Sequence, residues 1–140
     1  MASMTLPVLS RLMRKIDFCM MVTQSARSGM NSRPMSNNRD VKFNGDVFFF
    51  TDGKTQKVRD IQSNPNVSLN FEDGKGLFIS VKGKAKLIKD KETFADHWVK
   101  DLGMWFKKGI DTPGLTLIHV KGSKLRYWNK AKQGEISLKK

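Results

Sequence analysis

Residues 46–58 read Asp-Val-Phe-Phe-Phe-Thr-Asp-Gly-Lys-Thr-Gln-Lys-Val, and their types suit the capture of an anion. Val47, Phe48, Phe49 and Phe50 form a β-preferring apolar run that predicts a strand covered on both faces. Thr51, Asp52 and Gly53 break it, and Thr55 stands where a helix N-cap belongs, ahead of Val58 and Ile61 one turn apart. A strand, a turn and a helix N-terminus that present Thr51, Lys54, Thr55 and Lys57 could cradle a phosphate. Free N–H groups and the positive dipole end would face the anion, and hydroxyls and lysines would add donors and charge. The same residues equally describe a solvated polar turn.

A second candidate is Ser32-Arg33-Pro34-Met35. Proline has no ladder donor, so Pro34 predicts an edge strand or a bend, with Arg33 beside it. The remaining chemistry is sparse. A single Cys19 excludes an internal disulfide, and two separated histidines give no metal-ligand cluster. No nucleophile with a base and no recognisable pair of carboxylates stands out, so any redox chemistry is expected to come from a bound cofactor.

The formal net charge of +13 attracts nucleic acid, anionic lipid or phosphorylated ligands. One phosphate monoester would neutralise only about two charges. The excess belongs either to a polyanionic partner or to a lysine-rich solvated surface. Nine Phe and three Trp in 140 residues argue for a folded globule, expected to be one domain over residues 1–140. No apolar run is long enough to span a bilayer and no signal-like pattern opens the chain, so a cytoplasmic protein is expected.

The elements that must position these groups follow from periodicity. Val8, Leu12 and Ile16 predict an amphipathic helix over 7–16. Residues 18–23 predict a buried strand holding Cys19, 24–29 a hairpin turn, 30–35 its returning strand, and 36–45 a loop. Asn64 and Pro65 stop the short helix. Val67, Leu69 and Phe71 then alternate with polar residues, as do Ile79, Val81, Ala85 and Leu87 with Ser80, Lys82, Lys84 and Lys86. Gly83 marks a bulge or a close backbone approach. The lysine row has no interleaved aromatics for base stacking, which favours a solvated outer face. Asp90 caps a helix expected to carry Phe94, Trp98 and Leu102 on one face with Trp105 near it. A Trp-Phe loop over 103–114 and strands over 115–128 complete the pattern. A basic, frayed tail is expected over 129–140. Many strands with short turns and two or three helices indicate a mainly β (α+β) chain, a small antiparallel β-barrel with helices over its openings.

The chain resembles the pyridoxamine 5'-phosphate oxidase-like flavoproteins, in particular their short general stress protein branch. The matching pieces, in order, are Ser32-Arg33-Pro34-Met35, Val47 to Asp52 with Thr55 and Lys57, Asn64-Pro65-Asn66-Val67-Ser68-Leu69, Val81-Lys82-Gly83-Lys84-Ala85, Trp105-Phe106-Lys107-Lys108-Gly109, and Tyr127-Trp128. The resemblance implies a split β-barrel that binds flavin mononucleotide (FMN) at the interface of a homodimer. It implies phosphate and ribityl contacts from Arg33, Thr55 and Lys57, and a wall against the flavin ring from Pro34, Met35, Phe50 and Thr51. It also implies a covering role for Trp105, supplied in one arrangement by the second subunit. Gln56 stands where the oxidases commonly carry another phosphate-binding arginine. The vitamer oxidases' C-terminal arginine and histidine segment has no counterpart after Tyr127-Trp128, so oxidation of pyridoxamine phosphate itself is not expected. What remains is an FMN-dependent oxidoreductase of unspecified substrate or a flavin-binding protein without turnover. A basic barrel that binds nucleic acid through Lys82, Lys84 and Lys86 is the alternative from another class. Related split barrels that bind haem or deazaflavin are a third.

Overall fold

The computed structural model describes residues 4–37 and 42–138. Its elements are α1 (Leu6–Met13), β1 (Phe18–Ser25), β2 (Gly29–Ser36), β3 (Asp46–Asp52), α2 (Gln56–Ser63), β4 (Asn66–Glu72), β5 (Leu77–Ile88), α3 (Lys91–His97), β6 (Leu115–Asn129) and β7 (Lys132–Ser137). Of the loop expected over 36–45, residues 38–41 lie outside the described residues, and Ser36 is the last residue of β2.

All seven strands join one antiparallel sheet in the order β2-β1-β4-β5-β6-β3, with β7 also on β6. The sheet is not closed: β2 and β3 are its two ends. Pro34 therefore lies on an edge strand, as its missing N–H requires. β6 is fifteen residues long and pairs with β5 along its length, with β3 beside its first half and β7 beside its second.

The inner face of the sheet is apolar because the alternating positions are. Cys19 and Met21 of β1, Val67, Leu69 and Phe71 of β4, Ile79 and Val81 of β5, and Ile118, Val120 and Leu125 of β6 are buried against Leu9 and Met13 of α1. Each such side chain stabilises the fold by about 1.5–3 kcal/mol through removal from water. Burial pushes the Cys19 thiol up to about 12, so it packs as a hydrophobe. A second cluster lies on the other side of β3, where Phe48 and Phe50 pack with Phe94, Leu115 and Leu117. The triple-phenylalanine strand is thus covered on both faces. At Gly83 the β5–β6 register shifts, and a Cβ there would stand 2.2 Å from the Lys121 carbonyl oxygen, so only glycine permits the approach.

Three expectations are corrected. The helix after Asp90 ends at His97 instead of running to Leu102: Trp98 is extended, and two 3-10 turns, Lys100–Met104 and Gly109–Asp111, follow. The region 115–128 is one continuous strand rather than several. The tail is not frayed over its described part, because β7 pairs with residues 124–129 of β6 and Leu138 is buried.

Candidate functional site

The two open ends of the sheet meet the helix α2, and the candidate residues gather there. Thr51, near the end of β3, alternates inward with Val47 and Phe49 and is buried. Asp52 and Gly53 turn the chain. Gly53 N donates to the Gly114 carbonyl at 2.8 Å, and a Cβ on Gly53 would sit 2.7 Å from Thr116 Oγ1, so glycine allows the turn to lie flat against β6. Thr55 then opens α2, but its hydroxyl donates to the Asp52 carbonyl at 2.9 Å and does not cap the helix. The first turn of α2 consequently has no side-chain acceptor and no acidic residue.

In the first turn of α2, Lys57 reaches back so that its Nζ donates to Thr51 Oγ1 at 3.0 Å. Arg33 approaches from β2. Its Nη1 donates to Thr23 Oγ1 at 2.7 Å and to the carbonyls of Met21 at 3.3 Å and Asn31 at 3.4 Å. Desolvation lowers the Lys57 pKa, Arg33 lowers it further by repulsion, and Asp52 only partly offsets this. Desolvation likewise lowers the Arg33 pKa against the pull of Asp60. Two partly buried cations therefore stand close enough to oppose each other.

Asp60, one turn beyond Lys57 on α2, is 3% exposed. It accepts from Thr23 Oγ1 at 2.8 Å, Ser28 Oγ at 2.8 Å and Asn31 Nδ2 at 3.3 Å, with Arg33 Nη2 at 3.8 Å. Burial pushes its carboxyl up, but the hydrogen bonds from Thr23, Ser28, Asn31 and Ser25 outweigh that and hold it below the usual carboxylate range. Sequence reasoning passed over Asp60, Thr23, Ser28 and Asn31. The signal was available: Lys57, Asp60 and Ile61 share one helical face by spacing, and Thr23 follows Cys19 and Met21 on the inward side of β1.

Of the eight residues singled out, Lys57 is hydrogen-bonded to Thr51, and Arg33 lies within electrostatic reach of Lys57. Thr55 stands at the same turn with its hydroxyl already bonded to Asp52. Met35 is buried in the main core and Pro34 is exposed beside Met20 on the outer face of the sheet. Phe50 alternates away from Thr51 and packs edge-on against Phe94 and Trp98, at 5.6 and 5.1 Å between ring centroids. Trp105 follows the first 3-10 turn and is 66% exposed.

With this geometry in place, comparison with known proteins gives a consistent answer. The profile of the family described as "Pyridoxamine 5'-phosphate oxidase like" matches residues 6–139. Among curated proteins, Protein bli-3 of Neurospora crassa is 28% identical over 123 residues, which cover 81% of this chain and 59% of that protein. The chain thus spans well under two thirds of that relative. Among solved structures, a Clostridium acetobutylicum protein related to general stress protein 26 superposes with a TM-score of 0.82 at 18% identity, over 94% of this chain and 93% of that one. General stress protein 26 of Bacillus anthracis gives 0.74 at 19%, covering 95% and 100%. A heme-binding protein of Mycobacterium smegmatis gives 0.76 at 11%, covering 99% and 60%. At such identities the structures speak for the fold, the split barrel. The family match covers nearly the whole chain, and the protein belongs to the pyridoxamine 5'-phosphate oxidase-like family.

Proposed function

We propose that the protein binds FMN, with the terminal phosphate held by Arg33, Lys57 and the open first turn of α2. The observation that carries this reading is the cation pair. Lys57 and Arg33 are partly desolvated, the charge of Arg33 bears on Lys57, and the carboxylate nearest Arg33 among the described residues, Asp60, already accepts three hydrogen bonds. A dianion placed between them would relieve the repulsion and take up the donors that face it. A charge-assisted hydrogen bond contributes about 1.5–3 kcal/mol, so two cations and several neutral donors suffice to anchor a mononucleotide. When bound, the flavin would supply electron transfer that no side chain here offers, and the protein would supply binding and orientation.

A homodimer with the cofactor at the subunit interface completes the reading. Its support is an exposed apolar band on the outer face of the sheet, where Phe18 and Met20 of β1 and Phe78 of β5 are open to solvent. Met20 sits opposite Pro34, and Phe78 opposite Trp128. Met104 and Trp105 are exposed as well, which suits a loop that covers the partner's cleft. An oxidoreductase role with an unspecified substrate follows from the flavin and goes no further than it.

The test is a visible spectrum of protein purified after expression with added flavin. A yellow dimer that releases FMN on heating supports the reading. Arg33→Ala combined with Lys57→Ala is expected to give folded, colourless protein, and full flavin occupancy in that double variant would refute the phosphate assignment.

A further inference from the structure

The Asp60 carboxylate is buried and ionised, yet among the described residues it makes no short ion pair. Its nearest cation there, Arg33 Nη2, is 3.8 Å away, while its short contacts are to the hydroxyls of Thr23 and Ser28. Burying an unpaired charge is costly unless hydrogen bonds satisfy it, and three neutral donors from the β1–β2 hairpin do so here. As a tie between α2 and the hairpin, a neutral side chain would serve as well and would avoid burying a charge. What the negative charge adds is polarity. A carboxylate only accepts, so the Thr23 hydroxyl must point its hydrogen at Asp60 Oδ2. That leaves its oxygen lone pair for Arg33 Nη1 at 2.7 Å. The Met21 and Asn31 carbonyls lie within reach of the same Nη1, and Ser25 supports Ser28 through a 2.7 Å hydroxyl contact. Arg33 is thus hydrogen-bonded through Nη1, with Nη2 turned toward Asp60 at 3.8 Å, and its Nε has no partner among the described residues.

We infer that Asp60, acting through the Thr23 hydroxyl, is the positioning residue of the anion site: it fixes the Arg33 guanidinium so that the rest of its donors face the ligand. The inference rests on the FMN reading for the identity of that ligand, but the clamp itself is a property of the protein without cofactor. Neither Asp60 nor Thr23 touches the ligand. With Asn at position 60, an amide N–H can point at Thr23, the hydroxyl can turn its hydrogen toward Arg33, and the clamp is lost. Thr23→Val keeps the shape and removes the acceptor, whereas Thr23→Ser keeps the acceptor.

Two measurements test this. In the cofactor-free protein, a clamped guanidinium gives separate Nη1 and Nη2 resonances in a nitrogen-edited NMR spectrum, identified by their loss in Arg33→Lys. Separate signals are expected in the wild type and in Thr23→Ser, and a single averaged signal in Thr23→Val and Asp60→Asn. Averaged signals in the wild type, or separate ones in Thr23→Val, would overturn the inference. The second measurement is titration with FMN and with riboflavin, which lacks the phosphate. Loss of an outer partner of a metal ligand costs about 10–100-fold, and the lower end of that scale is expected here for FMN in Thr23→Val, with riboflavin affinity unchanged and Thr23→Ser near wild type. An equal fall for both ligands would mean that Thr23 and Asp60 merely support the fold. A wild type that binds no FMN sinks the cofactor reading alone, because the cofactor-free spectra still judge the clamp.

Discussion

Two groups of cations on this chain look alike in the sequence and differ in the fold. Lys82, Lys84 and Lys86 line the outer face of β5, all exposed, and across the ladder Lys82 faces Lys124 and Lys84 faces Lys121. Like charges directly opposite on a sheet repel, yet long exposed side chains splay into water and salt screens them within about 10 Å at 0.1 M. Arg33 and Lys57 are only two, but they cannot escape. Each is partly withdrawn from solvent, Lys57 is tethered to Thr51 and Arg33 to Thr23, and the charge of Arg33 bears on Lys57 beside the two end strands of the sheet. On the proposed reading, the anion site is marked by cations held where water is scarce, and the number of lysines on a strand says little. Most of the net charge of +13 belongs to the first kind.

The sharpest way to break this distinction is to remove each group in turn. Loss of both Arg33 and Lys57 takes away two charge-assisted contacts of about 1.5–3 kcal/mol each, a fall in FMN affinity of about 10²- to 10⁴-fold by fluorescence titration. Lys82→Gln, Lys84→Gln and Lys86→Gln together remove more charge, yet FMN affinity is expected to stay within about threefold, the scale of a screened surface effect. Should the triple variant lose as much affinity as the double, long-range charge rather than local geometry binds the ligand. Salt-sensitive binding of an oligonucleotide that vanishes in the triple variant would in turn favour the nucleic-acid alternative.

A pH titration probes the same contrast at smaller amplitude. The Lys57 pKa is lowered in the folded protein from its ordinary 10.5, so the unfolded chain binds more protons over the interval between the two values. Stability of the cofactor-free protein should rise with pH across that alkaline interval, the cost of the charged ammonium being present below it. Lys57→Met should lack this component in thermal unfolding measured from pH 7 upward. A bound dianion reverses the shift, and FMN should flatten the slope. On the acid side the ligand titrates: the second phosphate pKa is near 6, so affinity should weaken as the phosphate falls to a monoanion below about pH 6. Retention of the alkaline component in Lys57→Met would assign it to another group.

How much of this was legible beforehand depended on whether local chemistry or pairing made each element. Alternation gave β4 and β5 their faces, Pro34 announced an edge, Gly83 a bulge, and Asp90 a cap that accepts from Thr93 N at 3.1 Å, whereas β1, expected to be buried throughout, turns Phe18 and Met20 to solvent. β7 was hidden because Lys-Gln-Gly-Glu-Ile-Ser carries no strand-like pattern. Its backbone simply completes the edge of β6 beyond β3, and Gly134 leaves room for the Tyr127 ring, against which a Cβ would come within 2.7 Å. The helix end at Trp98 was hidden because its indole packs edge-on with Phe50 and Phe106 from an extended backbone, so the apolar stripe continued after the helix stopped. At the site, charged and hydroxyl residues on one turn were readable from spacing. Asp60 shares the face of Lys57 and Ile61 by spacing, but a carboxylate on a short polar helix reads as solvated until the hairpin of β1 and β2 closes over it.

Within the proposed site the smallest effect is expected at Thr55, and it is the most discriminating for the mode of binding. Its hydroxyl spends its hydrogen on the Asp52 carbonyl, so it has no donor left for a phosphate, while the backbone amides of the first turn of α2 have no side-chain acceptor. Thr55→Ala therefore removes one neutral hydrogen bond within the turn, about 0.5–1.5 kcal/mol, read as a modest drop in melting temperature and roughly a two- to tenfold loss of FMN affinity. Lys57→Ala should cost more than this, because it deletes a charge where water cannot replace it. If instead Thr55→Ala proves the more damaging of the two for binding while leaving the fold intact, the anion is held chiefly by the turn and its amides. The pair of partly buried cations would then be a consequence of the packing rather than the reason the ligand stays.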